Sequence, residues 1–145
     1  MGFISAYANE LLASILCTTL DSSNTECWLG LSSTIPNLDG SNFTEPQPGP
    51  TGYQRVLIGT TNNANSRAMS YPSNGTSSNI KDINFPPVIS NYNDIVYIGL
   101  FRQREGGVPI YTAPCSTPIS TEIGKSITFK AGNTLETSGL IFSAN

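Results

Sequence analysis

The chain has no histidine. That removes the side chain that most often serves as a general base near neutral pH and most often ligates metal. Ser-His-Asp and Cys-His nucleophile systems cannot be assembled from it. Charge is scarce as well. Asp, Glu, Lys and Arg make up 12% of the 145 residues, against about 25% in an ordinary soluble domain. The net charge is −3, and among the 7 Lys and Arg only Arg102 and Arg104 lie close together. Nucleic-acid binding needs a basic stripe that releases counterions, so no nucleic-acid partner is expected. The 3 cysteines, Cys17, Cys27 and Cys115, form no Cys-x-x-Cys. Without histidine they make no zinc set, so no metal and no cofactor are expected. They read as small buried hydrophobes with free thiols, a Cys17–Cys27 bridge being left open. No run approaches the roughly 20 apolar residues of a membrane span. Leu11 to Leu16 is preceded directly by Asn9 and Glu10, and the first residues carry no basic segment of a secretion signal. No membrane association is expected.

Hydroxyls and amides take the place of ions. Ser, Thr and Asn number 18, 15 and 14. The helical signal sits at the start: Phe3, Ile4, Tyr7, Ala8, Leu11, Leu12, Ile15 and Leu16 recur at helical spacing with no Gly or Pro between them. Asp21-Ser22-Ser23-Asn24 breaks the pattern. Beyond it the chain reads as β. Candidate strands are Cys27–Leu31, Tyr53–Ile58, Ile80–Phe85, Ile95–Phe101, Val108–Thr112, Ile119–Ile123, Ser126–Lys130 and Ser138–Phe142. Arg104-Glu105-Gly106-Gly107 turns one strand into the next as a hairpin. Residues 36–52 hold Pro36, Gly40, Pro46, Pro48, Gly49, Pro50 and Gly52, a long loop of the functional, interfacial or mobile kind. The expected fold is mainly β: a single β-sandwich or jelly-roll-like domain over 21–145, preceded by an amphipathic helical arm over 1–20. The helix packs either on its own sheet or on a neighbouring subunit.

Motifs for chemistry are weak. Gly124-Lys125-Ser126 resembles the tail of a phosphate loop, but Ile119 stands where the loop needs its first glycine, and Ile127 and Phe129 alternate as in a strand. A tight turn is the expectation. Asp39 and Glu45 share the Pro-rich loop, and Asp82 and Asp94 flank strands. Any such pair reads as solvated loop acids rather than glycosidase carboxylates. Trp28, Tyr53, Tyr92 and Tyr97 invite a sugar-stacking platform, although Trp28 sits in an apolar strand and reads as core. Asn42-Phe43-Thr44 and Asn74-Gly75-Thr76 match glycosylation sequons, as chance allows in an Asn- and Thr-rich chain. No catalytic residue is expected.

The order of motifs carries a resemblance. A short N-terminal helix is followed by Trp28-Leu29-Gly30-Leu31-Ser32 running to Pro36, Asp39-Gly40, Thr44-Glu45-Pro46 and Gly52-Tyr53-Gln54-Arg55-Val56. Ser78-Asn79, Phe85-Pro86, Tyr97–Phe101, Ile110–Thr112 and Gly124–Gly132 come after. The sequence resembles a family of small virion proteins of tailed bacteriophages and prophages, often labelled tail-fibre-like. The resemblance implies a non-enzymatic structural protein of the virion, assembled in the bacterial host cytoplasm. Fibres are long and repetitive, whereas this chain is short and repeat-free. A weakly charged, hydroxyl-rich surface suits many copies packed side by side. The leading expectation is therefore a capsid decoration or cement protein bound to the major capsid protein or other virion subunits, as a trimer or other small homo-oligomer. A tail or baseplate fibre component and a carbohydrate-binding host-recognition module are the alternatives. Candidate contacts are Phe3, Tyr7, Leu11 and Ile15 on the helix and Pro36, Pro46, Pro48 and Pro50 in the loop, where proline limits the entropy lost on docking.

Overall fold

The computed structural model describes residues 5–131 and 140–143. The architecture is mainly β with one N-terminal helix and antiparallel pairing, as the sequence predicts. In chain order the elements are α1 (Ser5–Leu16), β1 (Glu26–Ser32), β2 (Val56–Thr60), a single 3-10 turn (Ala64–Ser66), β3 (Thr76–Ser78), β4 (Ile83–Asn84), β5 (Ile95–Phe101), β6 (Tyr111–Ile119), β7 (Thr128–Phe129) and β8 (Ile141–Ser143). One sheet has four strands in the order β2-β1-β5-β6, and the pairs β3-β8 and β4-β7 form two-stranded ladders. Two compact units interleave along the chain. The first comprises Met1–Cys27, Leu57–Ile83 and Thr128–Asn145, and the second Trp28–Val56 and Asn84–Ile127.

In the first unit α1 buries Ala8, Leu12, Ala13 and Leu16. The helix stops at Cys17, whose φ of 56° is left-handed, a position glycine usually takes. The Thr18 N–H reaches back to the Ala13 carbonyl at 3.1 Å, closing the last turn in a Schellman arrangement. Strand β2 runs directly past this end. A Cβ on Gly59 would stand 2.6 Å from the Leu16 carbonyl oxygen, so only glycine allows the approach. Strand β3 pairs with β8 in the register Ser77↔Phe142, with Phe142 fully buried. Buried Asn79 ties the unit together. Its amide donates to the Lys81 carbonyl at 3.1 Å and the Phe129 carbonyl at 3.0 Å, and its oxygen accepts from the Leu140 N–H at 2.9 Å.

The second unit is built on β5, which coincides with the predicted strand over residues 95–101. It pairs with β1 through Leu29↔Leu100 and Leu31↔Ile98, all four side chains being buried. Its other neighbour is β6, with Leu100↔Tyr111 nearest the turn and a register shift between Ile95 and Tyr97. The hairpin therefore exists, but its second strand starts later than predicted. Gly106 and Gly107 both take positive φ, and Val108 and Ile110 are left exposed outside the ladder. Pro114 and Pro118 lie in β6, the outer strand, where missing N–H donors are tolerated. Gly124-Lys125-Ser126 is a turn, as predicted: the Lys125 N–H donates to the Glu122 carbonyl at 3.0 Å.

Candidate functional site

The Pro-rich loop is ordered by its own side chains. The Thr51 hydroxyl donates to the Gln47 carbonyl at 2.6 Å and accepts from the Tyr53 N–H at 3.2 Å. The Gly52 N–H closes a turn onto the Gly49 carbonyl at 3.0 Å. This folding swings the end of the loop back, so that Tyr53 and Arg55 meet Glu45. The predicted strand 53–58 consequently begins only at Val56.

Arg55 is at the centre, its side chain 3% exposed against 22% for Glu45. Its Nε donates to Glu45 Oε2 at 2.9 Å and its Nη2 to Oε1 at 2.6 Å, the bidentate fork that suits guanidinium to carboxylate. Nη1 donates to the carbonyls of Gln103 and Gly106 at 2.9 and 2.8 Å, which fastens the β5–β6 turn to the loop. The guanidinium carbon lies 3.4 Å from the centroid of the Phe101 ring, a cation–π contact. Glu45 Oε2 also accepts from the Tyr53 hydroxyl, whose oxygen in turn accepts from the Leu31 N–H at 3.1 Å. Burial, then the adjacent Glu45 carboxylate, pushes the Tyr53 phenol well above its usual range, so it remains a donor at physiological pH. Tyr53 stacks on Phe85 at 6.1 Å and meets Tyr92 edge-on at 6.4 Å.

A shallow cavity of about 190 Å³ opens beside this knot, lined by Glu45, Pro48, Tyr53, Gln54, Arg55, Arg104, Glu105 and Gly106. Both Glu45 oxygens and all three Arg55 nitrogens are engaged in bonds within the protein. The arrangement fastens a loop, a strand and a turn to one another.

Residues 2–136 match the model of the Gp80 family, described as podophage GP4 fiber I protein gp80. The chain belongs to the Gp80 family. A comparison with curated proteins returns no match. The family is one of structural fibre proteins of phages, which places this Gp80-family chain among virion components.

Among the sequence-predicted contact residues, Phe3 lies outside the described residues. Tyr7 is 58% exposed, while Leu11 and Ile15 are half-buried. Pro36 is half-buried, Pro46 is buried, and Pro48 and Pro50 are exposed. The structure brings Pro48 to the cavity beside the knot. Two expectations are corrected. Glu45 is no solvated loop acid, because loop folding delivers it to a buried guanidinium. Asp39 is solvent-facing, and hydrogen bonds from the Ser41 hydroxyl and N–H hold its carboxyl below the usual range. The tyrosine platform also fails at Tyr53, whose ring is buried under Phe85 and Tyr92 rather than offered to solvent. Trp28 is half-buried. Cys17 and Cys27 are buried and form no disulfide. Cys115 is also unbridged, and burial pushes its thiol up to about 11.

Proposed function

We propose that this Gp80-family chain is a non-enzymatic structural subunit of a podophage virion, working as a fibre component that holds its place by adhesion. The match over residues 2–136 to a fibre-protein family carries this reading. The saturated Glu45–Arg55–Tyr53 knot supports it from the chemical side, since the one buried ion pair among the described residues has its polar atoms committed to holding loops. The adhesive surface is at the loop tips of the second unit. Ile35, Leu38, Val108 and Ile110 are exposed there, and the two loops lie side by side: a Cβ on Gly40 would stand 3.5 Å from Val108 Cβ. Exposed apolar groups on turn-rigidified loops bind a matching surface at small entropic cost. The partners are other virion subunits and further copies of this chain, arranged as a small closed oligomer.

The capsid-decoration reading retains one point in its favour, the weakly charged, hydroxyl-rich and repeat-free sequence. Quantitative mass spectrometry of purified virions, with immunogold labelling, separates the two. A few copies confined to the tail are expected. Many copies spread over the head would overturn the fibre assignment and establish decoration.

A further inference from the structure

The one Asn-Gly dipeptide of the chain, Asn74-Gly75, sits where α1 meets β3. Its two residues carry φ of 52° and 73°, as a type I′ turn requires. The turn is closed by paired bonds between Ser73 and Thr76 at 2.9 and 3.0 Å. Asn74 is exposed. The Gly75 N–H does not face water: it donates to Asn9 Oδ1, in the middle of α1, at 2.7 Å.

This geometry bears on a reaction that needs no enzyme. In an Asn-Gly pair the glycine nitrogen attacks the asparagine Cγ, the side-chain nitrogen leaves as ammonia carrying the proton lost by the glycine N–H, and a five-membered imide forms. Water then opens the imide to aspartate or isoaspartate. The first step requires the Gly75 nitrogen to give up its proton and the Asn74 backbone to rotate so that Cγ reaches it. Both requirements are opposed here. The N–H is committed to Asn9, and the positive φ of Asn74 is clamped by the Ser73–Thr76 pair. Glycine supplies no side chain to hinder attack, so hydrogen bonding and backbone geometry supply the restraint.

We propose that Asn74 is a latent deamidation site held shut by α1, with the Asn9 side chain as the latch. Docked, the helix protects the turn. Displaced, as when it is drawn onto a neighbouring subunit, it frees Gly75 N–H, and Asn74 converts to an acid. Isoaspartate would add a backbone carbon beside β3, and either product adds a negative charge at the turn.

The test is ageing of the full-length protein in mildly alkaline buffer, with peptide mass spectrometry at Asn74. Isomerisation at Asp39-Gly40 serves as an internal reference. That pair lies in the other unit, and its Gly40 N–H is bonded to the Asn37 carbonyl at 2.9 Å. In Asn9→Ala, deamidation at Asn74 is expected to rise roughly three- to tenfold, the effect of losing one hydrogen bond, with Asp39-Gly40 unchanged. An unchanged rate at Asn74 would overturn the proposal. If both sites accelerate, the variant has lost its fold, and Asn9→Asp decides, because it keeps an acceptor oxygen at the same reach. Wild-type ageing of Asn74 in Asn9→Asp supports the latch; ageing as fast as in Asn9→Ala refutes it.

Discussion

Gly30 has no room for a side chain. A Cβ there would stand 2.8 Å from Phe101 Cε1, 3.1 Å from Glu45 Oε2 and 3.2 Å from the Tyr53 hydroxyl oxygen. The backbone of β1 is thus the floor on which the knot lies. Gly30→Ala is expected to cost about 1–3 kcal/mol, as overpacking a tight site does, and thermal unfolding measures it. Glu45→Ala should cost more, about 3 kcal/mol or above, because it strands the buried Arg55 without its carboxylate. Chemical denaturation checks this, and a loss under 1 kcal/mol would show that water had replaced the carboxylate. The knot was partly legible. Tyr53 and Arg55 are two residues apart in an extended stretch and so share a side, with Glu45 eight and ten residues earlier. Pro46, Pro48 and Pro50 marked the segment as loop, and nothing local says that a loop acid will be folded back onto a guanidinium.

At the scale of elements, legibility followed hydrophobic content. Strand β5 is a run of β-branched, aromatic and aliphatic residues, so its limits were readable. Strand β3 is Thr76-Ser77-Ser78, small and polar, and no periodicity reveals it. It exists because the Asn74-Gly75 turn and the pairing with Ile141–Ser143 hold it. The helix was readable, though its buried side proved narrower than its apolar stripe: Ala8, Leu12, Ala13 and Leu16 face in, and Tyr7 faces out. Strand β6 has no fully buried residue and occupies the outer position of its sheet. Its prolines withhold N–H donors from any approaching strand, which guards an otherwise open edge. The double change Pro114→Val and Pro118→Val is expected to increase self-association, followed by light scattering against time. A variant that stays as dispersed as the parent would show that Pro114 and Pro118 are not what protects the edge.

The whole molecule is short of ions, and its polarity rests on hydroxyls and amides that satisfy one another locally. Thr34 with Thr44, Asn37 with Ser41 and Thr60 with Asn62 are instances of this. Such short-range pairs are easy to read as turn chemistry but say little about the partners of the folded chain, so function came from the ordered set of motifs rather than from any one of them. The resemblance to tail-fibre-like virion proteins is matched by membership of the Gp80 family.

Sheltering the Arg55–Glu45 pair also governs how the protein meets brine. Dissolved salt weakens attraction only between charges that electrolyte can surround. Among the described residues the other ion pair, Lys125–Glu122, is about 70% exposed at both ends and therefore contributes little. Tm should accordingly stay nearly flat from millimolar to molar sodium chloride, as calorimetry would register. A particle carrying this subunit would keep it folded through swings from fresh to saline water, with no change in which charges hold it together.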